Sequence, residues 1–175
     1  MAARDRAWIA WAGVAPDLDG AGLLVDWVGH LAGAAPTSHY ETWHHVLGHG
    51  GAAAIVFAAC AYAGARNRGK TALLALISFH LHLLCDLVGS RGSSPLDIWT
   101  IPYFSPFAAH PVLEWSGQWP LTSWQNTSIT MLLMVIACAL APRRGYSPLS
   151  LFNRRADAAF VAVLRRRFGG SSREG

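Results

Sequence analysis

The chain has 175 residues, enough for one domain with a real hydrophobic core and short for two. Hydrophobic residues make up 53% and charged residues only 14%, against about 25% in ordinary soluble domains, which argues against a disordered or highly charged soluble protein and for a membrane-leaning one. The net charge of +4 gathers from Arg143 onward, where only Asp157 and Glu174 are acidic; basicity this local is not a nucleic-acid stripe, and no nucleic-acid partner is expected.

A mean hydropathy of +0.28 places much of the chain outside the hydrocarbon. Cys60, Cys85 and Cys138 each stand alone in an apolar run, with no pairing of a zinc knuckle or redox motif, and are read as small buried hydrophobes.

Arg4 and Arg6 precede a short apolar patch, Ala7 to Ala15, which imitates a secretory signal but is too short and runs into Pro16; the segment is read as retained. Next comes Ala15-Pro16-Asp17-Leu18-Asp19-Gly20. The proline breaks any preceding helix, and two acids clustered between apolar segments invite a cation, with an Asx turn or helix N-cap as the competing reading. A Gly-, Pro- and Ser-containing loop, Gly33 to Thr42, then delivers Trp43-His44-His45-Val46-Leu47-Gly48-His49-Gly50. Helical spacing puts His45 and His49 on one face, whereas a bend at Gly48 lets His44 and His49 converge; spacing alone does not choose.

Gly51 to Ala65 is uncharged and alanine-rich, and ends at Arg66-Asn67-Arg68-Gly69-Lys70. Residues Gly64 to Thr71 match GxxxxGKT, the phosphate-loop pattern. That pattern needs a buried β-strand before it and an acid at the end of another strand. The alanine-rich run reads as a helix and no later apolar run ends in an acid, so a nucleotide-binding protein is only a third reading.

Thr71 to Gly89 is apolar enough to be a membrane or core helix, yet carries His80, His82 and Asp86. His82 and Asp86 are four residues apart, so both project from one face and can reach one ion. Burying even an uncharged polar group without a partner costs about 2–7 kcal/mol, a cost that a divalent metal removes. A histidine hydrogen-bonded to a buried acid is the plainer alternative.

Ser90 to Trp124 is a Pro- and Trp-rich loop, read as a lid over the site; Arg91 at its start is a candidate for binding an anionic substrate group. Ile129 to Ala141 is a further apolar run, followed by Arg143 and Arg144. In the tail, Leu151 to Phe168 spaces Phe152, Ala156, Ala159, Phe160, Val163 and Leu164 helically with arginines opposite, a basic amphipathic helix suited to an anionic lipid surface. Residues from Gly169 onward are expected to be disordered.

The apolar runs are about 15 to 19 residues long, slightly under the roughly 20 that span a bilayer. With crossings at Gly51–Ala65, Thr71–Gly89 and Ile129–Ala141, an even number separates the basic cluster 66–70 from 143–155, so both lie on one side, the cytoplasm by the positive-inside rule. His44 to His49 and His82 to Asp86 then meet at the outer face.

In order and spacing, Pro16-Asp17-Leu18-Asp19, His44 through His49, His82 through Asp86 and Pro106-Phe107 resemble the bacterial membrane-bound metal-dependent hydrolase family, described as similar to LexA-regulated inner-membrane proteins. The resemblance covers roughly residues 14 to 141 and selects His44 and His49 over His45. Gly50 stands where that family usually has a polar residue. The family is distantly similar to zinc-dependent phospholipase C and single-strand nuclease folds, which implies an all-helical protein acting on phosphoesters.

The resulting expectation is an all-α integral membrane helical bundle of three to four membrane helices with a basic amphipathic C-terminal helix, organised as residues 1–142, 143–168 and a tail 169–175. Asp17, Asp19, His44, His49, His82 and Asp86 are the expected ligands for one or two divalent ions, zinc before manganese or iron. Asp19, or Asp17, is the expected general base, with His45 and His80 orienting the ligands. The expected protein is a bacterial inner-membrane hydrolase of a phosphoester or lipid-like substrate, its site at the outer face and its C-terminus cytoplasmic. A metal-binding membrane protein without turnover is the competing class, and a closed tetrahedral site would mark it.

Overall fold

A computed structural model describes residues 1–44 and 46–168. His45 and the tail 169–175, and with them the orienting role expected of His45 and the expected disorder, lie outside the described residues. The described residues form helices with no strand, only two isolated bridges, Arg91 with Pro120 and Ile101 with Leu113. The chain divides into two compact units, Met1–Leu121 and Thr122–Gly175.

In the first unit, α1 (Ala3–Ala12) stops at Gly13, and Pro16 opens a 3-10 turn, Pro16–Ala21. Then come α2 (Gly22–Leu31), the short α3 (His39–Trp43), α4 (Gly51–Gly64) and α5 (Arg68–Gly89). Asp26 of α2 ties α3 in place: its carboxylate accepts the backbone N–H of His39 and Tyr40 and the Thr37 hydroxyl, at 3.0, 2.9 and 2.6 Å. Three residues, Ala65 to Asn67, join α4 to α5 and make them an antiparallel hairpin. Buried Asp5 closes that turn by accepting the Arg66 N–H at 2.8 Å, while the Trp8 indole lies so close to Gly64 that a Cβ there would come within 2.6 Å of it.

The core is built of small residues against a few large ones: Ala12, Ala54, Ala61 and Ala75 let the helices approach, and Phe79, Leu83 and Ile101 fill the remaining space. On α5, Thr71, Ala75, Phe79 and Leu83 recur every four residues and face inward, whereas Leu73, Ile77, Leu81 and Leu84 on the other side are exposed. The alanine-rich run is thus a helix and not the strand a phosphate loop requires. Gly64 ends one helix and Gly69 lies in the first turn of the next, with only Ala65 to Asn67 between them, so the pattern sits in a helix hairpin.

In the second unit, α6 (Trp124–Arg144) ends at Gly145 in the left-handed conformation, φ 75°, whose N–H bonds the Ala141 carbonyl. A 3-10 turn, Pro148–Leu151, leads to α7 (Arg154–Phe168). On α7, Asp157 and Val161 are buried; of the apolar stripe, Phe160 and Leu164 are half-buried and Phe152, Ala156, Ala159 and Val163 are exposed. Asp157 accepts both the backbone N–H and the hydroxyl of Ser147, at 2.7 and 2.6 Å, which ties α7 to the start of the 3-10 turn.

Helices α5 and α6 are long and apolar enough to cross a membrane. On α6, six consecutive apolar residues, Met131 to Ile136, are exposed, apolar surface of the kind a membrane-crossing helix presents. The third expected crossing is a 14-residue helix, α4, about 21 Å long against a hydrocarbon core of about 30 Å. The three cysteines, read as buried, are instead exposed on these apolar helices.

Candidate metal centre

The 3-10 turn after Pro16 carries Asp17 and Asp19. With three residues per turn, positions two apart leave on different sides, so the two acids reach different partners. Asp19 is buried. Its Oδ1 accepts from His44 Nδ1 at 2.9 Å, and its Oδ2 accepts from the Gly48 N–H at 2.9 Å and from His49 Nδ1 at 3.0 Å. Asp17, with its side chain 57% exposed, points Oδ1 to His82 Nε2 at 3.4 Å and to His49 Nε2 at 3.9 Å.

His82 and Asp86 meet across one turn of α5, Nε2 to Oδ2 at 3.1 Å, and His49 Nε2 lies 3.4 Å from the same oxygen. Four atoms from three elements therefore converge: His49 Nε2 from the turn before α4, His82 Nε2 and Asp86 Oδ2 from α5, and Asp17 Oδ1 from the 3-10 turn. The hairpin makes this possible, because the start of α4 lies beside the end of α5.

The chemistry of the cluster calls for a positive charge, which a proton or a metal ion can supply. The other ring nitrogen of His82 faces the Gly13 carbonyl at 2.9 Å; a carbonyl only accepts, so Nδ1 carries the hydrogen and Nε2 of the neutral ring is a lone pair. That lone pair faces a carboxylate oxygen. Neither His82 Nε2 nor Asp86 Oδ2 has a hydrogen-bond partner among the described residues, although both are buried. Two acceptors held 3.1 Å apart repel unless a proton or a metal lies between them.

The spacing suits a metal. Ligand atoms about 2.0–2.1 Å from a tetrahedral zinc lie about 3.3–3.4 Å from one another, and the contacts here are 3.1, 3.4, 3.4 and 3.9 Å. Asp17, His49 and His82 offer atoms within 4.8 Å of one another.

Electrostatics outside the apolar helix point the same way. Burial alone would lower the pKa of His49, but the Asp19 and Asp86 carboxylates outweigh it and carry the group up to about 9. Burial alone would raise Asp19, and hydrogen bonds from His49, His44 and the Gly48 N–H hold it below its ordinary 3.8. The site thus gathers positive charge by protonation, and a metal would replace that proton.

The expected ligands therefore divide. Asp17, His49, His82 and Asp86 come together, whereas Asp19 and His44 form a hydrogen-bonded cluster behind His49. Asp19, His44 and His49 also lie within 4.8 Å of one another, but their closest contacts are the ring-to-carboxylate hydrogen bonds just described. His80 donates from Nδ1 to the Leu76 carbonyl, so its Nε2 accepts from the Tyr103 hydroxyl at 2.8 Å; it holds the loop to α5 rather than orienting a ligand. No described contact joins the Arg91 guanidinium to the cluster; its backbone pairs with Pro120.

The loop reaches the site through Trp99, whose ring stands edge-on to His44 and His49 at 5.5 and 6.2 Å between centroids. Gln118 clamps the Trp99 backbone by two hydrogen bonds, 2.9 and 2.7 Å. Trp99, the Gly13 carbonyl and the Tyr103 hydroxyl carried no motif in the sequence. Gly48 did stand out as a bend; its actual role is close approach, since a Cβ there would collide with the Pro16 carbonyl oxygen.

Comparisons with protein-family models, with curated proteins and with solved structures give no match.

Proposed function

We propose that this chain is a membrane-bound, metal-dependent hydrolase acting on a phosphoester or lipid-like substrate. The observation that carries the reading is the convergence of two imidazole Nε2 atoms and two carboxylate oxygens at 3.1–3.9 Å, each histidine being held by its opposite nitrogen. Two nitrogens and two oxygens suit zinc first, with manganese or iron as alternatives.

His49, His82 and Asp86, all largely buried, are the fixed ligands in this reading. Bound there, a divalent ion supplies Lewis acidity and lowers the pKa of a coordinated water toward about 7. Asp17 is the exposed member; it either completes the ligand set or accepts the proton of the attacking water as general base. Asp19, already the acceptor of three hydrogen bonds, orients His49 and keeps its Nε2 directed inward. His44, held on the same carboxylate, supports that arrangement.

The membrane setting rests on α5 and α6. One crossing by each leaves the basic runs 66–70 and 143–155 on the same side, the cytoplasm of a bacterial inner membrane, and places the His82–Asp86 end of α5 at the outer face. Membership of the metal-dependent hydrolase family named above rests on motif order alone.

The competing reading is a metal-binding protein without turnover, favoured if Asp17 closes a tetrahedral shell. Elemental analysis of detergent-purified protein, wild type beside His82→Ala/Asp86→Ala, followed by a phosphoester panel, separates them. The hydrolase reading expects stoichiometric metal in wild type only, and turnover that follows the metal. A metal that is bound without turnover makes it structural, and no metal in folded, resupplied wild type removes both readings.

A further inference from the structure

Behind the cluster lies an apolar groove of about 580 Å³ between the 3-10 turn, the turn before α4 and α4 itself. Leu18, Leu47, Val56, Phe57, Phe79 and Pro106 supply its walls, and its polar edge is Asp19 and Gly48. A second groove of 320 Å³, running beside Trp8 and Trp11 to Arg4, shares Leu18 and Phe57 with it, so one apolar track runs along this side of the first unit. The 3-10 turn joins track and cluster directly. In three successive residues it presents Asp17 to the two Nε2 atoms, Leu18 to both grooves, and Asp19 to His49 and the groove edge.

Resting on the hydrolase reading above, we infer that this track binds a single alkyl chain of the substrate, so that the substrate is a membrane amphiphile with its phosphoester at the metal and its chain along α4. Depth supports this. His82 and Asp86 lie 14 and 18 residues beyond Arg68, the basic start of α5, which is about 21 and 27 Å along the helix. The hydrocarbon core is about 30 Å thick, so an α5 whose basic end marks one boundary carries the cluster close to the opposite one. A lipid places its phosphate beside that boundary and its chain inside it. Leu47 and Val56 on the track are 60% and 64% exposed, apolar surface that a chain would cover.

The test uses full-length protein in nanodiscs with two p-nitrophenyl phosphodiesters, one carrying a methyl group and one a dodecyl chain with a diazirine near its end. Release of p-nitrophenolate reads hydrolysis, and peptide mapping after irradiation reads where the chain lies. The expected result is label concentrated on residues 46–57 and at least a tenfold higher kcat/KM for the dodecyl ester. Leu47→Asn with Val56→Asn should lose both the label and the preference while keeping bound metal. Ile55→Asn, equally exposed but outside the track, should keep them. Label spread evenly over the exposed apolar helices, or equal turnover of the two esters, overturns the chain site and leaves the hydrolase reading standing. Label on 46–57 without p-nitrophenolate release keeps the chain site and overturns hydrolysis.

Discussion

Asp19 holds His49 by its Nδ1 at 3.0 Å, and through that one hydrogen bond a residue 30 positions away decides where His49 Nε2 points. The same carboxylate takes the Gly48 N–H and His44 Nδ1, so it already accepts three hydrogen bonds. Asp19→Ala is therefore expected to weaken metal binding by about 10–100-fold while leaving Asp17, His49, His82 and Asp86 intact. Metal titration of the purified variant checks it. An unchanged affinity would mean that His49 needs no such support, and complete loss with retained fold would make Asp19 itself a ligand.

Gly48 is required by contact, since any Cβ there would meet the Pro16 carbonyl oxygen and lie 3.0 Å from Asp19 Oδ2. Gly48→Ala must push the 3-10 turn away from the turn that carries His49. Overpacking of this kind costs about 1–3 kcal/mol. Lowered thermal stability together with reduced metal content is the expected outcome. Wild-type stability and metal would show that the two turns move apart freely.

Asp26 ties α2 to α3, and its carboxyl is held well below 3.8 by the Thr37 hydroxyl first and then by the Tyr40 N–H, with His39 adding to them. A depressed folded-state pKa means the unfolded state binds the proton more readily, so this contribution is present above about pH 3.8 and is lost as pH falls below it. Amide exchange at His39 and Tyr40 is the readout, corrected for its intrinsic pH dependence. Protection in wild type should persist at pH 5 and weaken below about pH 4, whereas Asp26→Ala should lack it even at pH 7.

The His80–Tyr103 hydrogen bond, 2.8 Å, fastens the loop to α5 away from the metal ligands. Tyr103→Phe should therefore lower stability by about 0.5–1.5 kcal/mol and leave metal stoichiometry unchanged. Thermal unfolding beside elemental analysis tests both halves. Loss of metal in this variant would give His80 the orienting role that its chain position suggested.

What could be read in the sequence was what local geometry decides. Residues four apart on a helix share a face, so His82 and Asp86 were legible as a pair, and helix-forming alanine runs were legible as helices. Length and apolar composition likewise marked α5 and α6 as able to cross a membrane, and α4 ends at Gly64, one residue inside the uncharged run that the sequence bounded at Arg66. The division of labour between Asp17 and Asp19 belonged to the tertiary structure alone. The two acids share one turn and one chemistry, and only the distant donors they meet distinguish them: His44, Gly48 and His49 close around Asp19, and the Nε2 atoms of His49 and His82 face Asp17. Hydrogen-bond direction between residues 25 to 70 positions apart is set by how the hairpin packs against the 3-10 turn, which no spacing along the chain encodes.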